Sequence, residues 1–505
     1  MSFPASVSVL GTAELLHEIM GYCSPGDNFR NALVSKAWSD NALNVLWHRV
    51  DSLRPLVKIL APLQLSLRPA FTRPIIPIDW AGFRKYSWRV HEIKAHDWLQ
   101  YDGSIFVDMA FSRPSYDLFP HLRSVDFEGG SAKYIALISH TTITTLHIRV
   151  AATNHVDMLA FRGMLMYLPD RTPKLEHLDL ALAATPHAHT NISSELHIVL
   201  GNLFRLKTLH ISVSLFDANS RTLHSLSRLP RLESLSVFQL NSELQEDATP
   251  YPAPSSGTGF SSLTSLRLTH SLTYATSLLE GYEFIQLRSF TISSGTQETI
   301  QSLVNILEAV AVNCLKLACL VVQSAGFEEM QPQGSTLAVL QSLARCLSLT
   351  ELQLQDFPLN LDTNFVSSIM TALPALRTLV LRPDPAAVGP PTLPISALSE
   401  FTSICPQMTN LSLYMDTTLV DTPITGGNKP FLRLEDLDVG DSPANSSAGE
   451  LAAFLSGVLP EGCRLSWRGF PPRWASVADL LPTLIRIRKA EQAMINCQAK
   501  HTDIL

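Results

Sequence analysis

A six-residue phrase, Leu-x-x-Leu-x-Leu or a close variant, recurs along this chain and restricts its fold more than any other feature. It reads Leu122/Val125/Phe127, Ile143/Leu146/Ile148, Leu175/Leu178/Leu180, Leu206/Leu209/Ile211, Leu232/Leu235/Val237 and Leu263/Leu266/Leu268. It continues as Leu287/Phe290/Ile292, Leu317/Leu320/Val322, Leu349/Leu352/Leu354, Leu376/Leu379/Leu381, Met408/Leu411/Leu413 and Leu434/Leu437/Val439. A weaker first copy sits at Val90/Ile93, and a degenerate last one near Leu465 and Trp467. Successive first positions lie 21 to 32 residues apart, and Pro120, Pro173, Pro230, Pro374 and Pro406 each stand two residues ahead of one. Isolated matches arise by chance in an apolar chain; a constant phase with constant flanks does not. The second and third apolar positions share one face of a strand. Proline ahead of them is predicted to stop a helix and push the chain into the extended region. The interval supplies the dozen or more residues that a crossover between parallel strands requires. Apolar helical stripes at Ile300 to Val312, Leu337 to Arg345, Phe365 to Leu373 and Leu398 to Ser403 fall where those crossovers belong.

This pattern resembles the leucine-rich repeat, in which each unit is one strand and a returning helix or loop. The resemblance implies an α/β fold over residues 84–470, a solenoid of about 12–13 irregular repeats with a parallel inner sheet and helices outside. Irregularity is expected because the Asn or Cys that many members place after the third apolar residue is missing here. The third and fifth positions of the phrase project away from the core onto the inner face. Most are small or neutral, but His147, His177, Asp179 and His210 cluster, followed by Arg267, Glu351 and Gln353. These seven are candidate substrate-binding residues. A broad, weakly charged face suits a protein segment better than a small molecule, since no deep apolar pocket is implied. The plainer alternative is that they only keep an exposed sheet soluble.

The other informative segment is residues 10–50, where apolar residues fall into three short helical phases. Leu15, Leu16, Ile19 and Met20 share a stripe, as do Phe29, Ala32 and Leu33, and then Leu43, Leu46, Trp47 and Val50. Thr12 is predicted to cap the first helix, Ser24-Pro25-Gly26 to end it, and Asp27 or Asn28 to cap the second. Three such helices bury too little surface to stand alone. The order Glu14-Leu15-Leu16-x-x-Ile19, Ala32-Leu33-Val34-Ser35-Lys36-x-Trp38, Leu46-Trp47 resembles an F-box. One departure is Thr12, where that family usually has proline. The resemblance implies that residues 8–52 dock on the Skp adaptor, and through it on a cullin, using Leu10, Leu15, Ile19, Leu33, Val34, Trp38, Leu46 and Trp47. Some of these must also pack the three helices together. The bland alternative is a helical cap for the repeats. Residues 53–83 read as a helical linker. The layout, with FRKYSWRV ahead of the first repeat, resembles the enlarged F-box families of fungi. Residues 471–505 read as a tail with a capping helix carrying Val477, Leu480, Leu481, Leu484 and Ile485.

Charge and motifs narrow the function classes. The chain has 505 residues and a net charge of −7 with no run of five like charges, which argues against nucleic acid or a membrane surface as partner. It lacks a signal-peptide pattern and an apolar run of membrane-spanning length, so a cytoplasmic or nuclear location is expected. The seven cysteines are scattered and predicted to be reduced and packed. Asn241 to Gly259, Pro383 to Pro394 and Asp421 to Pro430 read as surface loops. No GxSxG, P-loop, GxGxxG, HExxH or CxxC pair is present. Ser255 to Gly259 makes a poor phosphate cradle, and His187 with His189 a poor metal site. Asp436 and Asp438 share a strand face, where a solvated polar pair is commoner than an acid/base pair. No cofactor, metal or catalysis is expected. The expected function is substrate recognition in a Skp–cullin–F-box ubiquitin ligase, the repeats holding a protein target; the alternative is an interaction scaffold with no ligase role.

Overall fold

Most leucine phrases enter their strands through the same turn. The amide of the first apolar residue donates to the carbonyl three residues back: Leu122 to Phe119 at 3.1 Å, Leu175 to Thr172 at 3.0 Å, Leu317 to Cys314 at 3.0 Å, Leu376 to Leu373 at 3.2 Å and Met408 to Cys405 at 3.2 Å. That is the bond of a β-turn, and Pro120, Pro173, Pro374 and Pro406 take its second position, where a fixed φ near −65° fits. The expected role of proline is thereby corrected. It opens the turn that separates crossover from strand, and the strand itself starts only at the third position of the phrase, at Ser124, His177, Thr378 and Asn410. Leu206 makes the same bond to Leu203 at 2.9 Å with Phe204 in place of proline, so proline assists the turn without being required.

The computed structural model describes all residues except 1–11, 65, 130–131, 153–154, 185–192, 213–219, 239–258, 328–341, 358–360, 363, 365–367, 370–371, 384, 386–388, 420–429, 470–471 and 503–505. By contacts the chain divides into two units, residues 1–241 and 242–505.

In the first unit, helices α1 (Ala13–Gly21), α2 (Pro25–Asn31) and α3 (Lys36–His48) come first. Strand β1 (Arg49–Val50) follows without a break, then α4 (Arg54–Leu60) and α5 (Pro77–Ser87). The repeats supply β2 (Glu92–Ile93), β3 (Ser124–Glu128), β4 (Thr145–Ala152), β5 (His177–Ala184), β6 (Thr208–Ser212) and β7 (Ser234–Phe238). The strands lie in sequence order, each parallel to the next. Helices His155–Arg171, Ser193–Gly201 and Ser220–Ser227 return the chain. Val125, Phe127, Leu146, Ile148, Leu178, Leu180, Leu209 and Ile211 are at most 2% exposed, so the second and third positions of the phrase build the core as the pleat requires.

The second unit holds β8 (Ser265–Thr269), β9 (Ser289–Glu298), β10 (Cys319–Phe327), β11 (Glu351–Phe357), β12 (Thr378–Pro383), β13 (Asn410–Ser412), β14 (Asp436–Asp438) and β15 (Arg464–Ser466). They too are parallel and in order. The stripes at 300–312 and 398–403 are helices Ile300–Asn313 and Ala397–Ile404, the first capped by Thr299, which accepts from Ser302 N at 3.0 Å. Of Leu337 to Arg345 only a 3-10 turn, Ser342–Arg345, is described. Most of Phe365 to Leu373, nearly all of Asn241 to Gly259, nearly all of Asp421 to Pro430 and parts of Pro383 to Pro394 lie outside the described residues. Helix Pro472–Thr502 lies against Ala448–Val458 and buries Trp474, Val477, Leu481 and Ile485, while Leu480 is 43% exposed. Trp474, absent from the expected stripe, anchors it by donating from Nε1 to Ser442 O at 2.9 Å.

Each unit is a leucine-rich-repeat solenoid of the α/β class. Among the described residues, seven strands in the first unit and eight in the second exceed the expected repeat number because β1 carries no leucine phrase and β15 only the partly buried Leu465. Among the described residues no helix is long and apolar enough to cross a membrane.

Candidate interaction surfaces

The N-terminal helices close around a very small core. Leu16, Met20 and Ala42 are buried, with Ala32, Trp38 and Val45 packed against them. Asn28 supplies the polar tie. It is 1% exposed and donates from Nδ2 to Met20 O at 2.8 Å, satisfying a carbonyl at the end of α1. Its expected role as a cap is corrected: α2 starts at Pro25, and Ser24 caps it by accepting from Asp27 N at 3.2 Å. A first-position proline suits a helix start, where its missing N–H costs nothing. Ser35 caps α3 by accepting from Trp38 N at 3.3 Å. Thr12 occupies the N-cap of α1 in an extended conformation, but its side chain makes no capping hydrogen bond. That expectation is corrected too.

The candidate adaptor residues divide into two groups. Leu15, Ile19, Leu33 and Val34 are exposed, by 42%, 46%, 75% and 63%. Trp38 packs on the module core, while Leu46 and Trp47 are half-buried. The Trp47 ring lies 4.7 Å from Tyr86 of α5, and His48 stacks on His91 at 4.5 Å, so the end of α3 serves the joint to the repeats. Burial, then the neighbouring His91, holds the His48 imidazole below its ordinary pKa. Leu10 lies outside the described residues. Two further apolar side chains are exposed: Tyr22 at 88%, which the sequence analysis does not single out, and Phe29 at 65%, which it places on a stripe with Ala32 and Leu33 but not among the adaptor contacts. No local signal marks Phe29 as exposed: α2 spans only two turns, and it is the burial of Asn28 that claims its inner face. Several large apolar side chains exposed within some twenty residues are the mark of an interaction site.

On the strand face of the first unit, pairing registers Asp126, His147, Asp179 and His210 in one row across β3 to β6. His177 stands one row away, between Thr145 and Thr208. Asp179 is 7% exposed; His147 Nδ1 lies 3.4 Å and an Arg149 guanidinium nitrogen 3.6 Å from its Oδ2. Burial opposes its ionisation, but the His147 hydrogen bond and the positive charge of Arg149, His147 and His210 outweigh that and hold the carboxyl below the usual range. Asp126 joins this row although sequence reasoning singled out only His147, His177, Asp179 and His210. Its place at the fifth position of the Leu122 phrase was the available signal.

The second unit does not bring Arg267, Glu351 and Gln353 into one site. Arg267 pairs with Thr291, whereas Glu351 Oε1 accepts from Gln353 Nε2 at 2.5 Å within β11. Beyond them the face is internally matched. Arg382 donates from Nε to Ser412 Oγ at 3.0 Å and pairs with Asp438, and Arg464 Nε lies 2.6 Å from Asp436 Oδ1. Both aspartates are thus held in ion pairs.

Burial raises the thiols of Cys314 and Cys405 to about 12 and those of Cys346 and Cys319 to about 11, which suppresses thiolate chemistry. A cavity of about 290 Å³ lies between Cys463, Leu465 and the C-terminal helix residues Leu481 and Ile485, and the Cys463 thiol there is likewise pushed up to about 12, chiefly by burial. Among the described residues no group of three His, Cys, Asp or Glu side chains could hold a metal ion. His187 and His189 lie outside them.

No family model and no curated protein matches this sequence. Among solved structures, an internalin from Listeria monocytogenes is similar at 14% identity over 68% of this chain and 80% of its own, with a TM-score of 0.29. The yeast complex of Rad7 and Elc1 is similar at 12% identity over 76% of this chain and 90% of that chain, with a TM-score of 0.32. Scores this low leave the functional reading to the residues of the chain itself.

Proposed function

We propose that this protein is the substrate-recognition subunit of a Skp–cullin–F-box ubiquitin ligase. The observation that carries the reading is the exposed apolar set Leu15, Ile19, Leu33 and Val34 on a three-helix module whose last helix runs directly into β1. A module of this size that leaves such side chains in water has a surface for a partner. Its fusion to the sheet would hold a target bound on the strand face at a fixed distance from the adaptor. The chain itself performs no chemistry in this reading; it raises the effective concentration of the target beside a ubiquitin-charged enzyme. Its place of action is the cytoplasm or nucleus.

Co-purification with the Skp adaptor tests this. Leu33 and Leu15 face solvent, so Leu33→Asp and Leu15→Asp spare the core, whereas Trp38→Ala would also disturb it. Each aspartate is expected to lower adaptor capture at least about tenfold, the effect of losing one central apolar contact. A folded wild-type chain that captures no adaptor would leave the alternative, an interaction scaffold without a ligase role.

A further inference from the structure

Two carboxylates on the strand face of the first unit keep an oxygen that nothing among the described residues satisfies. Asp179 Oδ1 and Asp126 Oδ1 are both buried and without a hydrogen-bond partner among the described residues. They flank His147 in the registered row Asp126, His147, Asp179, His210, at the strand repeat of about 4.8 Å. Their side chains point away from the core, which Leu178 and Leu180 fill from the opposite face of β5. Asp179 is therefore covered by its strand-face neighbours, among them His147 and Arg149. Over β3 to β6 the acids are Asp126, Glu128 and Asp179, and the one permanent cation is Arg149. Glu128 already holds His96 Nδ1 at 3.0 Å. A buried carboxylate oxygen without a donor is a cost that calls for an explanation, and a site kept for a ligand supplies one.

We propose that this row binds an arginine side chain presented by a partner protein. A guanidinium laid over His147 stacks on the imidazole and offers forked donors to Asp126 on one side and Asp179 on the other. The second unit contains the same contact within its own chain: Arg382 of β12 reaches across Ser412 of β13 to Asp438 of β14. In the first unit Arg149 reaches only Asp179 Oδ2, at 3.6 Å, and among the described residues no guanidinium meets Asp126 or Asp179 Oδ1. Lysine, a point charge that neither forks nor stacks, fits less well. The inference deepens the receptor reading by giving the chemistry of the target segment, and it rests on that reading only for the identity of the protein that carries the arginine.

Displayed random peptides with the central residue fixed as Arg, Lys, Glu or Ala, selected on the purified full-length chain at pH 7.5, test it. Recovery of the Arg pool is expected to exceed the Lys pool at least about fivefold and the Glu and Ala pools by more, because only arginine meets both carboxylates. Asp126→Asn, at a half-buried position, and the double variant Asp126→Asn with Asp179→Asn should both abolish the preference, with thermal melting confirming the fold. Equal recovery of the Arg and Lys pools, or an Arg preference unchanged in folded Asp126→Asn, overturns the proposal. Adaptor capture measured on the same preparations separates the two readings. Loss of capture with the Arg preference intact removes the ligase role alone, and capture without the preference removes the arginine site alone.

Discussion

The strand faces of the two units use charge in opposite ways. In the second unit, Arg382 pairs with Asp438 and Arg464 with Asp436, and even the 4%-exposed Glu298 is satisfied. Its Oε1 accepts from Leu272 N at 2.8 Å and Ser294 Oγ at 2.6 Å, and its Oε2 from Ser302 Oγ at 2.9 Å. In the first unit, Asp179 is almost as deeply buried and still leaves one oxygen unmet, as does Asp126. Sheets of the same topology thus carry one face whose polar groups hold the fold together and one whose polar groups are incompletely used at home. Polar matching inside a repeat contributes stability; polar mismatch at the surface marks where an outside group completes the set.

This contrast can be broken in several places. Core truncation should not distinguish the units: Leu209→Ala and Leu379→Ala, both at 0% exposure, are expected to cost about 2–5 kcal/mol each, read as matching shifts in urea midpoint. A large disparity would mean that the two leucine ladders are not equivalent. Next in size, Glu298→Ala strands the buried donor Leu272 N, while Ser302 Oγ keeps Thr299 O as an acceptor, and should cost roughly 1–3 kcal/mol. Arg382→Ala loses a partly exposed pair and should cost about 1 kcal/mol. Asp126→Asn is expected to leave stability unchanged or raise it by up to about 1 kcal/mol, since its unmet oxygen is a cost to the fold and not a support. A cost near that of Glu298→Ala would erase the contrast. The smallest effect is acid dependence. Because the folded Asp179 carboxyl lies below its ordinary range, its contribution is present above about pH 4 and is lost as pH falls further toward the lowered value. Acid titration of Asp179→Asn should lack that component.

The repeats were legible because their signal is redundant. Each phrase couples a period-two apolar pattern to a turn, and a dozen copies in phase leave little freedom over where strands begin. The turns at Phe204 and Leu315 were not legible, since without proline nothing local marks them. The capping of α1 and α2 was misread because Asp27, Asn28, Ser24 and Thr12 are all competent caps, and only packing decides among them. Once Asn28 turns inward to the Met20 carbonyl, Ser24 is left to close the helix. The outward face of Phe29 was not legible for a related reason: two turns of helix do not fix which stripe is buried.

By itself the sequence determined the chain's periodic element, the side of each strand that enters the core, and the three-helix start with its exposed and buried leucines mixed together. These follow from local steric preference and alternation, which act over a few residues. Tertiary structure alone decided which side chains meet across strands. Register sets Asp126 beside His147 and Asp179 although some thirty residues or more separate Asp179 from either, and it lets Arg382 cover Asp438 while no arginine covers Asp126. Spatial neighbours on a solenoid face are a full crossover apart in sequence, so their chemistry exists only after the strands have paired.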